Sequence, residues 1–395
     1  MKLCSAGIRR QANRLDKRLT QPSQYAPWYG QQRQAWLDYV HAWLRSSSLQ
    51  QSLGAFSHLQ IVRERPWSLI ARVFYASGTV YFKACAAGGK HEAALLAYLQ
   101  PHWPGRLPHV LVYDAPRAWI VLADAGRPVR DLFTQRGMRQ ALSQVLGDYA
   151  KLQIYSLAQR ETLETLGLPC RPVQMLPRLI EQLLASGAHA SGLSAHEADA
   201  LAIKVRSQLG FAQNLCDELA AAPYAYALDH GDLHTGNILA RRGRLVLADW
   251  GDACMTHPFC SALVALQFSV ESLAPAEREA ALVQWRSAYL APWQQFADMA
   301  LLQRHFAYAL WLGRSVRALD YAHMFTGAPE PMLAPWRMHI GEALHHWVAT
   351  RPVLDQPQAT ALLPLLAQGL GPAPPRTVRL KNMLRGAYVR LVKRQ

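Results

Sequence analysis

Along this 395-residue chain the spacing of apolar positions changes character several times. Trp36, Leu37, Val40, Trp43 and Leu44 recur at intervals of three and four, which predicts an amphipathic helix over 31–45. The thirty residues before it are polar, basic and broken by Pro22 and Pro27, so they read as an irregular arm. From 57 the pattern shortens. SHLQIV, SLIARVFYA and TVYFKACA are rich in β-branched and aromatic residues and are divided by Arg-Pro and Ser-Gly, the signature of an antiparallel meander. KHEAALLAYLQ at 90–100 reads as a helix stopped by Pro101, and HVLVYDA and AWIVLADAG read as two further strands. Residues 57–122 thus predict a small sheet with one inserted helix.

Beyond Asp124-Ala125-Gly126 helical spacing dominates. One helix start is explicit: Ser194 followed by Glu197 is a capping box. The exception is a strand-turn-strand pattern at 237–248. Gly-Pro-Ala-Pro-Pro at 371–375 ends the helical part, and the tail after it, 376–395, carries seven Lys/Arg and no acid. The predicted class is α+β with two lobes. Residues 1–50 form an arm and helix, 51–123 a small antiparallel-sheet lobe, 124–372 a larger helical lobe and 373–395 a basic tail.

Composition narrows this only a little. At 51% hydrophobic and 17% charged residues, the chain is a folded globular protein. Its formal charge of +15 favours anionic partners such as nucleotides, phosphates, nucleic acid or an acidic membrane surface, without choosing among them. Six cysteines lie apart and form no C-x-x-C pair, which argues against a zinc or redox site and reads as reduced, mostly buried thiols in a cytoplasmic protein. The N-terminal stretch lacks the apolar core of a secretion signal, and no apolar run reaches the length of a membrane span.

The candidate chemistry lies at 228–252, LDHGDLHTGNILARRGRLVLADWGD. Asn237-Ile238-Leu239-Ala240 and Leu245-Val246-Leu247-Ala248 read as strands joined at Arg242-Gly243. Pairing them about Gly243 would set Asn237 opposite Asp249, so that two oxygen-bearing side chains converge where a hard cation shared with phosphate could bind. Asp232 lies just upstream, in a loop whose turns Gly231 and Gly236 permit. A carboxylate there can orient a hydroxyl and accept its proton.

H-G-D-x4-N followed by D-W across an apolar strand resembles the catalytic and metal motifs of the aminoglycoside phosphotransferase-like kinases. These small-molecule kinases share the two-lobed protein-kinase fold. The resemblance covers about 57–350. It implies an ATP- and Mg²⁺-dependent phosphotransferase with Asp232 as catalytic base, His230 as a loop-bracing residue, and Asn237 and Asp249 as metal ligands. It further implies that Lys83, late in a predicted strand, binds the α- and β-phosphates, and that Glu92, opening the next helix, anchors it. Backbone groups at Leu122, Ala123 and Asp124 would bind adenine.

Three positions depart from the family pattern. The strand-turn-strand at Arg63-Glu64-Arg65-Pro66-Trp67-Ser68 has no glycine, leaving backbone amides and Ser68 as the expected phosphate contacts. Tyr81 stands where a small residue often covers adenine. The segment after Trp250 lacks the second Asp that often braces the catalytic loop, so another group must hold it. Asp252 is a further candidate near the site or its substrate.

Between 251 and 395 there are nine acidic and fourteen basic residues, which favours a neutral or anionic acceptor (a sugar, a lipid head group or a metabolite alcohol) over a polycationic aminoglycoside. Trp285, Trp293, Trp311 and Trp336 are read as core rather than cleft. The tail's alternation of apolar and basic residues suits contact with an anionic membrane, which would set the protein at the inner face of the membrane. Two rival classes stand beside the kinase: a nucleotide-binding pseudokinase, and a basic binder of anionic surfaces or nucleic acid.

Overall fold

The computed structural model describes residues 26–29, 32–46, 48–328 and 330–351. The arm before residue 26 and the basic tail, with the membrane contact expected of it, lie outside the described residues.

Helix α1 (Arg33–Ser46) precedes a five-stranded antiparallel sheet of β1 (Phe56–Arg65), β2 (Ser68–Tyr75), β3 (Gly78–Cys85), β4 (Val110–Asp114) and β5 (Trp119–Ala123). Its order is β1-β2-β3-β5-β4, a meander whose last two strands exchange places because helix α2 (Glu92–Leu99) is inserted between β3 and β4. Alternation along β3 explains the two faces. Val80, Phe82 and Ala84 are buried on one side, where α1 delivers Trp36, Val40 and Leu44 into a common core. Trp36 stands edge-on to Trp119 at 6.1 Å, and Trp43 does so at 5.4 Å. The helix expected with the N-terminal arm therefore shares its core with the sheet. The other side of β3 carries Tyr81 and Lys83 toward the second lobe.

The large lobe is built on helices α3 (Gln135–Leu157), α4 (Ala195–Ala220), α5 (Ala262–Val270), α6 (Pro275–Leu290), α7 (Met299–Met324) and α8 (Glu330–Ala349). The capping box opens α4 as expected: Glu197 N–H donates to Ser194 Oγ, while Glu197 Oε2 accepts from Ser194 N–H at 2.8 Å. Trp285, Trp293 and Trp311 are fully buried in this lobe's core. Trp336 differs: it meets Trp67 of the small lobe at 4.8 Å. Helix α2 is apolar on nearly every side, and its Ala93, Leu95, Leu96 and Leu99 pack into the large-lobe core, so it fastens one lobe to the other.

Into the helical lobe are set β6 (Arg127–Pro128), β7 (Ala227–Asp229), β8 (Ile238–Arg241), β9 (Arg244–Leu247) and β10 (Cys254–Thr256). β8 and β9 form the expected hairpin, with a register one step from the expected one. Ile238 pairs with Leu247 and Arg241 with Arg244, so Asn237 faces Ala248, whose N–H donates to Asn237 O at 2.8 Å. A two-residue turn with both residues at positive φ, Arg242 (49°) and Gly243 (77°), centres the hairpin between them rather than on Gly243. Among the described residues no helix is long and apolar enough to cross a membrane, and Cys85, Cys216, Cys254 and Cys260 are buried free thiols.

Candidate active site

Every polar group of the 228–252 stretch hangs from the short strands β7 to β10. β7 pairs with β10, β8 with β9, and the connecting loops 230–237 and 248–253 lie side by side, joined where His230 meets Ala248. Gly231 has φ 74°, and a Cβ there would sit 2.4 Å from Asp252 O, so only glycine fits between the loops. Asp249 takes the left-handed conformation (φ 67°, ψ 65°), which costs a side-chain-bearing residue roughly 1–2 kcal/mol but turns its carboxylate away from the hairpin it follows.

That carboxylate meets two cations of the small lobe. Lys83 Nζ lies 2.6 Å from Asp249 Oδ1, and Arg63 Nη2 lies 2.7 Å from Oδ2. Lys83 is also 2.5 Å from Glu92 Oε2, while Glu92 Oε1 accepts from Trp250 N–H at 3.1 Å. Lys83 and Glu92 are almost wholly buried, and Arg63 is 40% exposed. Burial alone would raise the Asp249 carboxyl, but Lys83 and then Arg63 outweigh it and hold the carboxyl well below its usual range. For Lys83 the balance is similar: burial lowers its pKa, and Asp249 and Glu92 together more than reverse this.

Asp232 has different neighbours. Its Oδ1 accepts from Arg317 Nη2 at 2.9 Å, its Oδ2 from Asn237 Nδ2 at 3.1 Å, and His234 Nε2 is 3.6 Å from Oδ2. Burial raises its pKa, yet Arg317 and then His234 bring it below the ordinary value. Arg317 comes from α7, lies over the Tyr321 ring at 4.4 Å, and stands 3.8 Å from Asp252 and 4.0 Å from Asp320, which itself pairs with Arg171. Asp252 is thus in contact with this network. Burial raises its carboxyl well above the usual range, and its Oδ1 has no hydrogen-bond partner among the described residues.

His230 is fully buried. Its Nε2 is 3.1 Å from Ala248 O, and its Nδ1 accepts from Asp232 N–H at 3.3 Å, which requires the neutral ring protonated on Nε2. Burial lowers it to about 4. It ties the two loops together and has no free nitrogen for proton transfer.

The brace expected after Trp250 is supplied from elsewhere. Tyr149 Oη accepts from His230 N–H at 2.8 Å and lies 2.6 Å from Ser261 Oγ; Ser261 in turn hydrogen-bonds Asp229 Oδ1. The same oxygen accepts from Gly231 N–H at 2.7 Å. Burial, with Asp320 repulsion second, pushes Asp229 up to about 7 against the Ser261 and Gly231 bonds. Arg317 Nη1 adds a bond to Gly231 O at 2.9 Å.

The remaining candidates are arranged less simply. Ala123 N–H already donates to His109 O at 2.9 Å, and Asp124 O accepts from Arg241, so two of the expected adenine contacts carry engaged backbone groups. Leu122 pairs across the sheet with Tyr81 and with Val110. Tyr81 Oη accepts from Arg72 Nε at 3.3 Å. Ser68 is buried opposite Cys85. Sequence reasoning did not single out Arg63, Arg317 or Tyr149. No local signal separates Arg317 from Arg304 and Arg314 of the same helix, of which Arg304 is half-exposed and Arg314 is buried beside Gln267.

Residues 169–299 match the phosphotransferase enzyme family model. No curated protein matches the chain. Among solved structures, a choline kinase of Streptococcus pneumoniae is similar at 12% identity and TM-score 0.52, over 79% of this chain and 99% of that one. An ethanolamine kinase of Plasmodium vivax is similar at 13% identity and TM-score 0.51, over 79% and 83%. At such identities the likeness establishes the fold: this chain has the two-lobed architecture of those kinases.

Proposed function

We propose that the chain transfers the γ-phosphoryl group of ATP to a hydroxyl of a small molecule. One observation carries this reading: Lys83 touches Glu92 and Asp249 at once, so a buried cation from β3 reaches the 248–253 loop, which His230 ties to the neighbouring loop that holds Asp232 and Asn237. A permanently anchored ammonium beside ionised oxygen ligands is what a polyphosphate needs, since phosphoryl transfer rests on positioning and charge neutralisation.

The donor set fits Mg²⁺. Asp249 offers ionised oxygens and Asn237 an amide oxygen, both hard ligands. Among the described residues no three His, Cys, Asp or Glu side chains gather to hold a metal unaided, so the ion would be shared with phosphate. Bound there, it would neutralise charge on the β- and γ-phosphate oxygens. Asn237 and Asp249 would hold it, and Lys83 would face the α- and β-phosphates. Asp232 would accept a hydrogen bond from the acceptor hydroxyl and take its proton as the new oxygen–phosphorus bond forms and the bond from the γ-phosphorus to the bridging oxygen breaks, releasing ADP. With Arg317 depressing its basicity, Asp232 acts first by orienting that hydroxyl. His230 positions Asp232 through its backbone N–H.

Seven of the fourteen basic residues after 250 belong to the tail, so 251–375 carries nine acids and seven bases. Beside Asp232 the local charge is mixed, with Arg317, Asp252 and His234. A neutral, polyhydroxylated acceptor suits this surrounding best.

The test is calorimetric titration of the full chain with ATP, with and without Mg²⁺, beside Asp249→Ala. The expected result is Mg²⁺-dependent binding in the wild type and loss of that dependence in the variant. A folded wild type that binds no nucleotide would overturn the reading.

A further inference from the structure

We propose that Arg63 is the phosphate clamp of this cleft and does the work of the missing glycine-rich loop. The inference rests on the nucleotide reading above and assigns a residue to it. A phosphate-binding loop works by presenting several backbone N–H groups to the anion. The β1–β2 connection cannot do so. Arg65 pairs with Ser68, so the turn consists of Pro66 and Trp67 alone, and proline has no N–H to offer.

Nor can this turn fold down on a ligand easily, because it is fastened from several directions. Trp67 packs against Trp336 at 4.8 Å and Phe325 at 5.6 Å, and its carbonyl accepts from Ala86 N–H at 2.8 Å. Arg65 lies over the Trp336 ring at 5.3 Å, and Arg65 O accepts from Trp28 Nε1 at 3.0 Å. Glu64 is held by a two-pronged pair with Arg33 at 2.7 and 2.9 Å. What moves in place of the backbone is a long side chain.

Arg63 has the right attachments for that task. Its Nη2 holds Asp249 Oδ2, the oxygen opposite the one Lys83 holds. Lys83 is fixed by Glu92 as well, whereas the hydrogen bond of the Arg63 side chain is to Asp249 and its Nε is buried with no hydrogen-bond partner among the described residues. A guanidinium with spare donors, half in solvent and beside the ligand oxygens, matches a phosphate in a two-pronged manner. The Asp249 carboxylate holds its place until the polyphosphate arrives.

The experiment titrates full-length wild type, Arg63→Gln and Arg63→Lys with ATP and AMP in the presence of Mg²⁺, after melting curves show all three folded. Hydrogen bonds to charged groups lead us to expect ATP affinity to fall by about 10- to 100-fold in Arg63→Gln. AMP affinity should stay unchanged, and Arg63→Lys should recover part of the loss. Equal ATP affinity in wild type and Arg63→Gln would overturn the clamp while leaving the nucleotide site intact. A wild type that binds neither ATP nor AMP would remove the nucleotide reading itself, and the clamp with it. An equal fall for ATP and AMP would also overturn the clamp, since it would place Arg63 outside the β- and γ-phosphate region.

Discussion

Asp232 and Asp249 lie in one strand-turn-strand segment, yet their charges are balanced from different parts of the chain. Asp249 is gripped by Lys83 and Arg63, both from the small sheet. Asp232 is gripped by Arg317 from α7 of the large lobe, with Asn237 beside it. The first arrangement spans the lobes, so the charge balance at Asp249 depends on how closely they sit. The second is internal to one lobe and is braced by Tyr149, Ser261 and Asp229, so the position of Asp232 does not depend on where the small lobe sits. On the phosphotransferase reading proposed above, both behaviours are required: a base held still, and a phosphate site that can admit and release nucleotide.

The contrast is broken most severely at Asp232. Asp232→Asn keeps the hydrogen-bonding outline and removes the proton acceptor, so kcat should fall by about 10²–10⁴-fold while Mg²⁺-dependent ATP binding persists. Single-turnover kinetics beside calorimetry would check this. If nucleotide binding falls as well, the two aspartates are not separate devices.

Lys83→Met asks what the interlobe pair contributes. Removing one partner strands Glu92 in the interior, and losing a buried pair member costs about 3–5 kcal/mol. The urea midpoint should drop accordingly. Glu92→Gln in the same background should recover much of the loss, because the stranded charge is then gone. Arg63→Gln should lower the midpoint far less, since its pair with Asp249 is partly exposed, at 40% and 27%.

Arg317→Gln is the finest test. Arg317 lowers the Asp232 pKa, and a carboxylate proposed as base must be ionised to act. Taking the cation away raises that pKa, so the acid limb of the kcat/KM profile should move to higher pH and activity should fall first on the acidic side. A profile merely scaled down, with its limb unmoved, would show that Arg317 acts on loop position and not on the charge of the base.

Much of this arrangement was legible in the sequence, for a definable reason. The five strands, the inserted helix and the Ser194 cap are local patterns, written in neighbours two to four residues apart. The Lys83–Glu92 pair was implied by the family resemblance, which asks for a lysine late in a strand and a glutamate opening the next helix; alternation and the helix start alone left both as ordinary surface groups, and the structure brings them to 2.5 Å. Even the hairpin at 237–248 was visible, although its register depended on the positive φ of Arg242 as well as Gly243. Nothing local encodes Arg63 on Asp249, Arg317 on Asp232 or Tyr149 on His230, which are 186, 85 and 81 positions apart. By itself, then, the sequence determined the elements, the lobes and the motif that names candidate chemistry. Only the tertiary structure decided which cation neutralises which carboxylate, because a buried charge takes whatever partner packing brings within reach, and chain spacing carries no record of that choice.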